Sequence, residues 1–310
     1  MGDFREKVQR RSSGILSYGL TPPRAGQDPD KLAAIAERQR AQIRALPVDA
    51  AVLYDLQDES KRDPSPRPFD FLPTLDPFAY GRDYLGDTER GLIVYRAVAN
   101  HQEAAFAAWL SAADSAAEPA AVTFVGSPAR ADQPRDRLGL RRAYELYSVH
   151  CKRLLLGGIA IAERHLKKGD EHLRMLDKQA LGCSFFVSQA VYDAHASGLL
   201  LADLAREAAV RELLPAPVLL TITPCGSEKA LEFMKWLGIS FDPLIERRLL
   251  QSRDMLAESV TICEQLILEI AERRNGPVPL GINVESVSIR RADIEAATAL
   301  VEFAHRALSV

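Results

Sequence analysis

A chain of 310 residues with 47% hydrophobic content, 26% charged content and a net charge of −3 has the composition of an ordinary globular protein. It carries no basic excess of the kind that marks a nucleic-acid binder, so nucleic acid is not an expected partner. The stretch MGDFREKVQRR has no apolar signal core and no later segment approaches the ~18 uninterrupted apolar residues of a membrane span, so a cytoplasmic location without membrane contact is expected.

The first strand is expected over Gly14 to Leu20, ended by Thr21-Pro22-Pro23-Arg24, because two prolines remove ladder donors. Leu32, Ile35, Ile43 and Leu46 then recur at helical spacing from about Asp30, and Pro47 closes that segment. Asp49 to Asp55 reads as the second strand. The following stretch, Gln57 to Gly91, is too long for a tight connection and too rich in Phe and Leu for a disordered linker, which leaves a structured lid or plain packing over a rim.

Gly91 to Val98 is the third strand, and Phe106, Trp109, Leu110 and Ala113 share one face of the helix after it. Ala120 to Val125 is the fourth strand; the loop GSPARADQPRDRLG and a helix over Arg141 to His150 follow. Leu154 to Asp193 reads as one strand, charged loop, amphipathic helix and strand, supplying the fifth and sixth strands. A helix over Leu199 to Leu213 leads to the seventh strand, Pro217 to Thr223. Ala230, Phe233 and Leu237 mark the next helix, and Leu256, Val260, Cys263, Ile267 and Ile270 a long helical region. Val278 to Glu285 is the eighth strand, and Ile294, Ala297, Val301, Ala304 and Leu308 line the last helix. Eight strands alternating with helices, without a composition break, predict an α/β chain forming a single (β/α)8 TIM barrel over residues 1–310, with a long loop after the second strand.

Ligands of parallel α/β folds bind at the carboxyl ends of the strands, which directs attention to polar residues there. Glu163, Arg164 and His165 end the fifth strand; they are either site residues at the mouth or a solvated charged exit. Gln189 near the end of the sixth can donate and accept at once, which suits the mixed edge of a heteroaromatic ring, the alternative being a satisfied buried amide. Asn283 and Glu285 alternate with Ile282 and Val284 and so share one side of the eighth strand. If that side is the lumen, Glu285 is a carboxyl with a tunable pKa; otherwise it pairs with Arg290 or Arg291. Gly226 and Ser227 either offer N–H groups to a ligand anion or make a simple helix cap. Cys151, Cys183, Cys225 and Cys263 stand far apart with no C-x-x-C pair, and no His-x-x-x-His, P-loop or G-x-G-x-x-G is present, so no metal site is expected.

These residues carry a resemblance across nearly the whole chain to the methylenetetrahydrofolate reductases, flavin barrels that reduce 5,10-methylenetetrahydrofolate to 5-methyltetrahydrofolate. KQALGCSFFVSQAVYD, from Lys178 to Asp193, resembles the family's lysine, small-residue turn, strand and T-Q pair. SYGLTPPR from Ser17 resembles its S-F-E-F-F-P-P-[KR], and ITPCGSEKALEFMKWLG its seventh strand and following helix. The resemblance implies that Gln189 binds the pterin and that Lys178 and His165 hold FAD; by their places at strand ends, Asn283 and Ser227 are read as further substrate contacts and Arg164 as a further cofactor contact. It also implies NAD(P)H as co-substrate, a reduced folate as the small-molecule partner, a role in one-carbon and methionine metabolism, and room for a homo-oligomer.

Two family carboxylates are absent. Gly19 stands where the first strand carries the acid, and Val125-Gly126-Ser127 stands where the family has R-G-D. Glu285, Glu163 and Asp55, each at a strand end, are the candidate replacements, because opening the methylene bridge needs a positioned acid. A flavin-free reductase and a barrel that binds folate or flavin without turnover are the alternatives.

Overall fold

The structure, a computed structural model, describes residues 3–59, 65–126 and 138–309. Eight parallel strands close in chain order: β1 (Leu16–Leu20), β2 (Ala50–Leu53), β3 (Gly91–Ala97), β4 (Ala121–Val125), β5 (Leu155–Ala160), β6 (Cys183–Ala190), β7 (Val218–Ile222) and β8 (Leu280–Glu285). The expected single barrel is therefore present. No helix among the described residues is long and apolar enough to cross a membrane.

The helices are α1 (Phe4–Gln9), α2 (Pro29–Ala45), α3 (Pro77–Tyr84), α4 (Glu103–Ser115), α5 (Leu140–His150), α6 (Ala162–Lys168), α7 (Glu171–Ala180), α8 (Ala194–Val210), α9 (Glu228–Trp236), α10 (Pro243–Gln251), α11 (Met255–Arg273) and α12 (Arg291–Leu308). Asp28, Asp76, Asp193, Ser227, Asp242 and Asp254 each accept a backbone N–H at a helix start, which satisfies donors the helix cannot. The expected long helical region, marked by Leu256 to Ile270, is the one helix α11, and a further helix, α10, precedes it, the two separated at Ser252, whose hydroxyl accepts the Asp254 N–H at 3.2 Å. The Gln57 to Gly91 stretch contains α3, opened by Asp76 and Pro77.

Two apolar clusters result from strand alternation. One fills the space between strands and helices, with Leu53, Val94, Phe124 and Ile282 facing α2, α4, α11 and α12. The other is the lumen, built from Ala50, Val52, Ile93, Tyr95, Ala121, Leu155, Phe185, Val187 and Leu219. Gly157 and Gly158 of β5 leave room for the rings of Phe185 and Phe186, one on each side of the sheet.

The lumen is stoppered from below. Phe4 and Val8 of α1 belong to the lumen cluster, and the Phe4 ring meets Phe185 edge-on at 5.4 Å. Arg5 donates to the Arg153 carbonyl at 2.6 Å and Lys7 pairs with Asp49 at 2.7 Å, which fixes α1 across the amino ends of the strands. Only the carboxyl mouth remains as an entrance. Phe4 is 1% exposed, so Phe4→Ala should destabilise the chain by about 3–5 kcal/mol, read as a lower urea midpoint at unchanged slope.

Candidate functional site

The register of β1 on β8 pairs Ser17 with Asn283 and Gly19 with Glu285. All four therefore lie on the lumen side, and the side chains form one chain of hydrogen bonds. Ser17 donates to Asn283 Oδ1 at 2.8 Å; Asn283 Nδ2 donates to the Tyr54 hydroxyl at 3.0 Å and to Thr221 Oγ1 at 3.2 Å. The Tyr54 hydroxyl in turn lies beside Glu285, whose charge acts on it. Ser17 and Asn283 are fully buried, whereas Glu285 keeps part of its surface open to the mouth.

Gly19 makes this arrangement possible. A Cβ there would lie 2.6 Å from the Tyr54 hydroxyl oxygen and 2.9 Å from Glu285 Cβ, closer than side-chain atoms can approach. An acid on the first strand and the Tyr54–Glu285 pair exclude each other. Glu285 thus occupies space that a first-strand side chain would need. It makes no ion pair among the described residues: Arg290 lies 3.6 Å from Asp293, and Arg291 is 2.7 Å from Glu295. Burial pushes the Glu285 carboxyl above its ordinary value, opposed by the Tyr54 hydrogen bond. Tyr54 and Tyr95, packed edge-on at 4.9 Å, are also raised by burial and then by the Glu285 charge.

Glu163 and Gln189 meet at a different part of the mouth. Glu163, on α6, accepts the Ser240 N–H at 3.2 Å, and Gln189 donates to the Leu237 carbonyl at 2.9 Å. Both hold the turn after α9, which folds over the ends of β5 and β6. Burial raises the Glu163 carboxyl, opposed by its own backbone N–H and that of Ser240. Gln189 sits in an irregular stretch of β6, where Ser188 receives the Thr221 N–H at 2.9 Å. Its amide nitrogen is engaged by protein.

Arg164 and His165 do not join Glu163. The expected charged loop is the helix α6, and successive helical residues rotate by about 100°, so three neighbours cannot share a face. Arg164 reaches the fully buried Glu171 at 2.7 Å, where Arg174 (3.4 Å) and Lys178 (4.0 Å) also converge. Lys178 donates to the Ile159 carbonyl at 2.6 Å, and burial pulls its pKa down against the pull of Glu171. His165 faces Asp203 of α8 at 3.1 Å and the His172 ring at 5.1 Å between centroids. Those three could surround a cation, a grouping that sequence spacing does not reveal.

Asp55 fastens β2 to β3, accepting from Ala97 N at 2.8 Å and Gln57 Nε2 at 2.9 Å, and burial raises its pKa. Ser227 caps α9 by accepting the Ala230 N–H at 3.2 Å. A side chain at Gly226 would run into the Asp293 carboxylate, and Arg290 lies 3.6 Å from that carboxylate and donates to the Gly226 carbonyl at 3.0 Å. Ser127, read with the fourth-strand departure, lies outside the described residues. Tyr54, Ser17 and Thr221 are site residues that sequence reading overlooks; alternation of Tyr54 with Val52 was the available signal.

Two measurements test this electrostatic picture. Between the ordinary value 4.5 and its raised native value, Glu285 carries a proton in the folded chain that the unfolded chain has lost, so stability falls as pH rises through that window. Glu285→Gln should remove this slope from unfolding free energies measured across it. Glu171 is 0% exposed on its side chain, so Glu171→Ala, which strands the Lys178 ammonium, should cost about 3–5 kcal/mol by chemical denaturation.

No family model matches the chain, and no curated protein does. Among solved structures, a β-1,4-mannanase (13% identity, TM-score 0.54, 95% of this chain and 99% of that one) and a tryptophan synthase from M. tuberculosis (10%, 0.51, 98% and 96%) share the fold alone. A protein from Clostridium thermocellum that binds two copies of 5-methyl-5,6,7,8-tetrahydrofolic acid is 36% identical, with TM-score 0.83, over 97% of this chain and 99% of that one. With that identity across nearly its whole length, the chain belongs to the same family as the Clostridium thermocellum protein.

Proposed function

We propose that this chain binds a reduced folate of the 5-methyltetrahydrofolate type, with the pterin entering the carboxyl mouth against Glu285. The observation that carries the reading is the Ser17, Asn283, Tyr54 hydrogen-bond chain on the lumen side beside Glu285, a carboxyl without an ion pair among the described residues. A carboxyl accepts from the N–H groups of a pterin edge and, when it carries a proton, also donates to it. The relative's ligand supports the same class of molecule. Tyr54 and Tyr95 offer aromatic edges beside it.

FAD does not fit the residues assigned to it. The Lys178 ammonium is held by the Ile159 carbonyl and Glu171, and Arg164 is held by that same carboxylate, so neither presents free charge to a pyrophosphate.

A reductase reading is motivated by Glu285, a carboxyl on the lumen side at the end of β8 whose pKa burial raises, as a proton donor requires. In it, Glu285 protonates the bridging nitrogen of 5,10-methylenetetrahydrofolate, the bridge opens to an iminium, and hydride from NAD(P)H reduces that carbon to the methyl group. The nicotinamide leaves oxidised.

One experiment separates binding from turnover. Calorimetric titration with 5-methyltetrahydrofolate should give saturable binding that Glu285→Ala weakens by about tenfold or more, the cost of leaving one buried polar group of the ligand unpaired. Glu285→Gln, isosteric with the neutral acid, should stay within about threefold of the parent on the same scale. Absence of binding to the parent chain overturns the folate reading. Anaerobic incubation with 5,10-methylenetetrahydrofolate and NADH or NADPH then decides the chemistry: methyltetrahydrofolate formed by the parent and not by Glu285→Gln supports the reductase, and no product leaves a binding barrel.

A further inference from the structure

Residues 65–75 of the long connection after β2 form a strap, held at one end beside β1 and at the other on α9. Beside β1, Ala25 N donates to the Pro73 carbonyl at 2.9 Å and Leu75 N to the Pro23 carbonyl at 2.8 Å. Beyond β7, Trp236 of α9 donates to the Ser65 carbonyl at 3.2 Å, and Phe69 meets Phe233 edge-on at 5.3 Å. Leu237, next to Trp236, is the residue whose carbonyl Gln189 holds. The strap and the end of β6 therefore share one support.

Arg67 stands in the middle of this strap. Its guanidinium lies 5.3 Å from the Phe71 ring centre, 5.3 Å from Phe233 and 5.5 Å from Trp236. Its Nε and Nη1 are shut off from solvent and have no hydrogen-bond partner among the described residues. Rings compensate a cation through their faces and leave its in-plane N–H groups unsatisfied. Once a shift of the covering strap opens its edge, a guanidinium so held offers a planar fork to a carboxylate, and desolvation strengthens that pairing. Lys229, on the same side of α9, has its Nζ 4.7 Å from the Phe69 ring centre, a second cation on the same aromatic patch.

We infer that Arg67, assisted by Lys229, is the site for the tail carboxylates of the ligand. The inference rests on the folate reading: a reduced folate carries an uncharged ring system at one end and a glutamate with two carboxylates at the other. The ring enters the lumen toward Glu285, and the tail leaves under the strap, where Arg67 takes one carboxylate and Lys229 meets the other. Arg67 is a specificity residue for the acid end of the molecule and takes no part in chemistry at the ring.

The test titrates the full chain with 5-methyltetrahydrofolate and with its analogue in which both tail carboxylates are converted to carboxamides. The parent should bind the acid at least about tenfold more tightly than the diamide, as one charge-assisted pair provides. Arg67→Gln should bind the two alike, Arg67→Lys should keep part of the preference, and all variants should bind the diamide as the parent does, which also certifies that they fold. An undiminished acid preference in Arg67→Gln overturns the tail site. Equal parental affinity for acid and diamide overturns it too, with the folate reading intact. If the parent binds neither ligand, both fall together.

Discussion

The pairing of β1 with β8 governs both the closure of this barrel and the content of its mouth. It brings Ser17 opposite Asn283 and Gly19 opposite Glu285. Side chains alternate with a period of two, so a slip of one residue would turn Asn283 and Glu285 outward among the helices and bring Ile282 and Val284 into the lumen. The apolar partners of Ile282 and Val284 in the outer core make that slip costly. Packing energy outside the barrel thus sets the position of a polar chain inside it.

The carboxyl groups at the mouth divide by what surrounds them. Glu171 is buried but compensated by three cations, and it binds α6 and α7 to the end of β5. Glu163 and Asp55 are fixed by backbone N–H groups, which is how a carboxylate holds turns and strand ends together. Glu285 instead stands on the lumen side beside Tyr54, is fixed by no backbone N–H among the described residues, and keeps part of its surface exposed. Perturbed carboxyls of that kind are concentrated at functional positions, because a structural role is served better by a compensated charge.

Much of the architecture was legible because hydrophobic period and punctuation agree over each βα unit. All eight strands lie within the expected segments, and Asn283 and Glu285 share the lumen side as their alternation implies. What escaped depends on contacts distant in sequence. The charged helix α1 has too few residues to show a period, and only its docking under Phe185 gives it a role. Glu163, Arg164 and His165 look like one cluster in sequence, yet a helix directs them to Ser240, Glu171 and Asp203 respectively. Tyr54 acquires meaning only beside Gly19, since an absent side chain on one strand is what admits a ring from the next.

The stopper at the lower end has a kinetic side. Arg5 bonds to a carbonyl 148 residues further along, and Phe4 packs on a ring of β6. Closing so long a loop is entropically slow, and its reward comes only after more than half the barrel strands exist. Until then the apolar undersides of the early strands lack their cover. In a chain emerging from the ribosome, this places the most aggregation-exposed interval between the appearance of β1 and that of β6, and makes the return of α1 one of the late events that seal the fold.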